Sequence, residues 1–176
     1  AEIERVAPGY VLDVDNFRTP DKENLLQRIY AKTGKHFKVA KHLVSTRPWD
    51  FFMMVEMGVD RIQHGFWSYC DPNHRKYHRG NPFENTLKDY YRYVDKEIGE
   101  LLSLVPRDTA VLVVSDHGAR KMDGGICINE WLMREGYLRV HHYPSEPKRL
   151  EDVEIDWDHT LAWGEGGYHG RLFMNV

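Results

Sequence analysis

Strand, long helix, strand is the order of the stretch from Asp50 to Ser115, and it constrains the fold more than any other feature. Asp50–Met57 (DFFMMVEM) is a short apolar run bounded by Pro48 and Gly58. Thr109–Ser115 (TAVLVVS) is a second run, rich in β-branched side chains. Their length and flanks favour strands covered on both faces. Between them Leu87, Tyr91, Val94, Ile98, Leu101 and Val105 recur at helical spacing. Lys88, Asp89, Arg92, Lys96 and Glu97 fill the opposite side, and Pro106 ends the pattern. This alternation predicts an α/β fold, with a mostly parallel sheet flanked by helices.

The rest of the chain reads more weakly. Asp21 can cap a helix running to about Lys32, and a second helix is expected from Lys35 to Ser45. Residues 71–85 are polar and turn-rich, a surface loop. After Gly124 and Gly125 a short helix is expected over Asn129–Glu135, closed by Gly136. Residues 141–156 form an acidic connector. Leu161–Gly164 and Arg171–Val176 are the last strand-like pieces. A length of 176 residues suits one α/β domain over residues 1–176.

Charge and cysteine usage narrow the function classes. A net charge of −3 lacks the basic field of a duplex nucleic-acid binder. No apolar run approaches membrane-spanning length, and the charged N-terminus has no signal-peptide pattern. Cys70 and Cys127 have no C-x-x-C partner, so two free thiols in a reducing, cytoplasmic compartment are expected.

Two carboxylate–imidazole pairs stand just past the apolar runs, in Asp60-Arg61-Ile62-Gln63-His64 and Ser115-Asp116-His117-Gly118. Ligands gather beyond the carboxyl ends of strands in a parallel sheet. Asp60 and His64 are spaced i, i+4 and would share one face of a helical turn. Asp116 and His117 are adjacent, so both can serve one ion only if the chain turns, as Gly118 allows. Hard oxygen and borderline nitrogen donors suit divalent metals, zinc by preference and manganese by tolerance. Two pairs predict two ions side by side, the arrangement that clamps both oxygens of a phosphoryl transfer.

Other residues have plainer readings. His36, His42, His74, His78, His141 and His142 are expected on the surface, and Lys41, Arg47, Arg120 and Lys121 in solvent. Trp67 and Tyr69 are expected to fill core, and Glu56 to be structural.

The blocks DFFMMVEMGVDRIQHGFW, LVPRDTAVLVVSDHG and GGICINEWLMREGYL resemble the alkaline phosphatase superfamily, in particular its type I phosphodiesterase/nucleotide pyrophosphatase branch. The resemblance covers roughly residues 36–176. It implies a metal-dependent hydrolase of phosphodiester or pyrophosphate bonds, acting on a small phosphate ester or nucleotide. By the resemblance Asp60 and His64 bind the first metal, and Asp116 and His117 the second. His169, in Gly-Gly-Tyr-His-Gly, completes the first, with His159 as the alternative.

The family pattern also begins with a strand Asp and a Thr or Ser nucleophile at a helix start. No matching segment occurs here; Asp13 and Asp15 lie in a turn-rich stretch. The chain is therefore expected to be the C-terminal half of an alkaline-phosphatase-like catalytic domain. It would supply metal ligands but not the nucleophile, be inactive alone, and have the N-terminal half as its partner. Phosphomonoesterase, sulfatase and phosphoglycerate mutase activities share the fold and stay open. So does a non-catalytic binding module with a vestigial metal site.

Overall fold

The structure, a computed structural model, describes residues 2–166 and 170–176. The chain divides into two compact units, Ala1–Asp123 and Gly124–Val176. In the first, a short helix α1 (Glu2–Val6) precedes a turn-rich stretch and the long helix α2 (Lys22–Thr46). Asp21 caps α2, its Oδ1 accepting the Asn24 N–H at 3.1 Å. Such a cap contributes about 1 kcal/mol.

Two helices were expected where α2 is one, running unbroken through Gly34. Glycine costs about 1 kcal/mol in a helix interior. At Gly34 the missing side chain has a use, because a Cβ there would meet Tyr93 Oη at 3.0 Å.

Helices α3 (Gly58–Cys70) and α4 (Thr86–Leu102) complete the unit; α4 lies close to the span that periodicity predicts, while α3 extends over two turns beyond the single helical turn expected at Asp60–His64. Leu25, Ile29 and Phe37 of α2, Ile62 and Phe66 of α3, and Tyr90 and Val94 of α4 form one buried core with Val14. Full burial of each large side chain is worth roughly 1.5–3 kcal/mol. At Gly65 a Cβ would stand 3.1 Å from Leu25 Cδ2, so α2 and α3 approach closely there. This core is helix on helix.

The two apolar runs behave differently from expectation. Neither 50–57 nor 109–115 pairs with another strand among the described residues. Phe51 is 80% and Met53 73% exposed, and Leu112 is 87% and Val114 86% exposed. A helix satisfies its own backbone, whereas a strand needs a neighbour about 4.8 Å away to take its hydrogen bonds. The sequence pattern marks these segments as ready for a sheet; the described residues supply no neighbour.

The second unit holds α5 (Ile128–Arg134), β1 (Ala162–Glu165) and β2 (Arg171–Met174). The strands are antiparallel, with Trp163 opposite Phe173 and their rings stacked 5.5 Å apart. Asn129 ties α5 to β1. Its side chain donates to Gly164 O at 2.8 Å and accepts the Gly164 N–H at 2.6 Å. Val140, just before the expected connector, and Ile155 within it form an isolated antiparallel bridge. The mix of helix and strand stands, but the only sheet among the described residues is two-stranded and antiparallel, not the parallel sheet expected.

Candidate functional site

Asp60 lies in the first turn of α3 and His64 one turn later. Ile62 and Phe66 point into the core, which turns Asp60 and His64 to the opposite face. Asp60 Oδ1 is 3.3 Å from His64 Nε2, so the i, i+4 spacing brings the pair together as expected. Asp60 Oδ2 accepts from Arg61 Nη1 at 2.5 Å.

Arg61 is held from its other edge. Its Nε donates to Asp13 Oδ1 at 2.9 Å and Oδ2 at 3.1 Å, and its Nη2 also donates to Asp13. Its guanidinium lies 4.5 Å from the centre of the Phe17 ring, within cation–π range. The same ring stands 5.8 Å from that of His64. The Arg61 hydrogen bonds hold the Asp13 carboxyl below its ordinary range despite partial burial. Those bonds in turn raise the Arg61 pKa, with smaller help from the Asp60 charge.

The second pair sits where the chain bends at Asp116. Ser115 Oγ donates to His117 O at 2.5 Å, and the His117 N–H donates to Asp116 Oδ1 at 3.1 Å. His117 Nε2 is 3.6 Å from Asp116 Oδ2, and Nδ1 is 2.9 Å from Gly118 O. Adjacent side chains that a strand would send apart thus meet. The Gly118 carbonyl first, then the Asp116 charge, raise the His117 pKa, and Asp60 adds to the rise. Further on, the Asn73 N–H, then Trp67 and Lys121, lower the pKa of Asp71 at the end of α3, and Lys121 pairs with Asp123 at 2.8 Å.

The remaining ligand assignments are His169 and its alternative His159. His169 lies outside the described residues. His159 belongs to the second unit, where its Nδ1 is 2.8 Å from Asp156 Oδ2. Among the described residues no group of three or more His, Cys, Asp or Glu side chains is arranged to hold a metal. The donors that do meet, carboxylate oxygen and imidazole nitrogen within each of two couples, are of the kind a divalent cation takes.

Glu56 anchors the helix that carries Asp60. Its Oε1 accepts from Lys32 Nζ at 2.8 Å, Thr33 Oγ1 at 3.2 Å and Gly58 N at 2.7 Å, and its Oε2 lies 2.8 Å from His36 Nδ1. Thr33 Oγ1 shares a further bond of 2.9 Å with Tyr90 Oη. Burial alone would raise the Glu56 pKa, but His36, Lys32 and the Gly58 N–H carry it down to about 2. This network caps α3, since Met57 at its N-terminus offers no capping side chain.

Two surface expectations are corrected. His36 is half-buried against Glu56, and Lys41 is paired with Glu97 and Glu100 at 2.7 and 2.5 Å. A lysine or histidine beside a helix cannot be told from a solvated one until the carboxylate from another element arrives. Tyr69 is half-buried and packs against the core at Phe66 and Phe83.

Sequence reasoning missed Arg61 and Asp13 as members of the site. Arg61 stands inside the motif, but Asp13 is 48 residues away and carries no local signal.

The chain's resemblance can now be set against known proteins. The family model described as Type I phosphodiesterase / nucleotide pyrophosphatase matches residues 3–170, a span that contains both couples. No curated protein matches, and no solved structure matches. With nearly its whole length matched, the chain belongs to the type I phosphodiesterase/nucleotide pyrophosphatase family.

Proposed function

We propose that this protein is a metal-dependent hydrolase of phosphodiester or pyrophosphate bonds in small phosphate esters or nucleotides. Family membership supports the hydrolase class. The observation that carries the metal reading is the meeting of Asp60 with His64 and of Asp116 with His117.

Asp60 and His64 would hold one divalent ion, Asp116 and His117 a second, with zinc preferred to manganese. His169 is assigned to the first ion and His159 is its alternative. Two such ions would supply electrostatic stabilisation of the attacking and leaving oxygens. The chain's own part is to present these donors at fixed spacing. The helical turn from Asp60 to His64 does this for one couple, and the hydrogen-bonded bend at Ser115–Gly118 for the other. No Thr or Ser of this chain is given the nucleophile's role.

The test is metal content. Purified protein should bind zinc or manganese, and an Asp60→Ala, Asp116→Ala double variant should lose it while keeping its helical circular dichroism. A folded wild-type protein without bound metal defeats this reading. It would favour an interaction module instead, the reading to which the exposed Phe51, Met53, Leu112 and Val114 side chains point.

A further inference from the structure

Arg61 poses a problem for the proposed metal couple. A guanidinium one residue from Asp60 and bonded to its Oδ2 competes with any cation for that carboxylate. The structure shows how the competition is limited. Two of the three nitrogens of the guanidinium, Nε and Nη2, face Asp13, and only Nη1 reaches Asp60. Phe17 lies against the guanidinium and against the His64 ring, which sets the plane of the fork. Asp60 Oδ1 stays turned to His64. Two carboxylates against one guanidinium leave the trio net negative. Without Asp13, Asp60 and Arg61 would be a neutral pair with little pull on a cation.

We propose that Asp13 is a positioning residue of the Asp60/His64 couple, the counter-charge that occupies Arg61 and so leaves Asp60 available to a divalent cation. This rests on the metal reading above. The plainer alternative is that Asp13 only tethers its turn-rich stretch to α3. The two differ in what happens when Arg61 is also removed. A tether, once cut, is not restored by a second deletion, whereas an uncompensated charge is relieved by it.

The experiment is Mn²⁺ titration calorimetry at neutral pH on the wild-type protein, Asp13→Asn, and the Asp13→Asn, Arg61→Met double variant. Thermal unfolding is measured on each. Asp13→Asn should weaken Mn²⁺ binding by about tenfold or more, the usual scale for groups that support a metal ligand. The double variant should regain most of that loss, whatever its melting temperature. Unchanged affinity in Asp13→Asn, or a double variant no better than Asp13→Asn alone, overturns the inference while the metal reading stands. A wild-type protein that takes up no Mn²⁺ overturns both.

Discussion

Replacing Gly58 by alanine should be among the most damaging single changes in the first unit. Gly58 opens α3, and an added Cβ would lie 2.0 Å from Tyr90 Oη, 2.6 Å from Glu56 Oε1 and 2.7 Å from Thr33 Oγ1. Tyr90 and Thr33 are fully buried, so their hydroxyls have little room to retreat. Overpacking of this kind costs about 1–3 kcal/mol. Parting Tyr90 from Thr33 leaves buried hydroxyls short of a partner, at about 1–3 kcal/mol more. The better helix propensity of alanine returns at most about 1 kcal/mol. The net expectation is a loss of about 2–4 kcal/mol. For a chain of this size that is a fall in Tm of roughly 5–15 °C. Urea and thermal unfolding followed by far-ultraviolet circular dichroism would measure it. Gly99→Ala is the matched control, since a Cβ there meets nothing within 4 Å and the site is an exposed turn of α4. It should stabilise by about 0.5–1 kcal/mol. A Gly58→Ala protein within about 0.5 kcal/mol of wild type would refute the claim that the Glu56–Thr33–Tyr90 cluster is rigidly packed.

Two further expectations concern ionisable groups. Glu56 is carried from 4.5 down to about 2, so its contribution is complete above about pH 4.5 and drains away as pH falls toward 2. Its size is about 3 kcal/mol, and Glu56→Gln should flatten the decline in urea midpoint over that window; an unaltered acid limb would count against the network. Cys127 is exposed, whereas Cys70 is partly buried, donates to Phe83 O at 3.2 Å, and has its thiol pKa pushed up by burial. A maleimide followed by peptide mass spectrometry should label Cys127 first, and earlier labelling of Cys70 would contradict its placement.

Much of the site was legible in its local part. An i, i+4 pair on a helix is a statement about neighbouring residues, and Asp60 and His64 meet for that reason alone. The bend at Asp116–His117 follows from the residues that form it, Ser115 and Gly118. The support beneath was not legible. Arg61 of α3 reaches Asp13 across 48 residues, and Glu56 reaches Lys32 of α2 across 24. Nothing periodic marks such partners.

The division runs through the fold as well. Helices α4 and α5, and α2 as two pieces, could be read from the chain because a helix closes its backbone bonds within four residues; α3 was legible only as the turn from Asp60 to His64. Strand propensity could be read too, in 50–57 and 109–115. Pairing could not, because a strand's hydrogen bonds belong to whichever segment lies beside it. Only the tertiary arrangement decided that the described residues make a helix-on-helix core and one antiparallel strand pair. It also decided that a distant aspartate, and not solvent, shares Arg61 with Asp60.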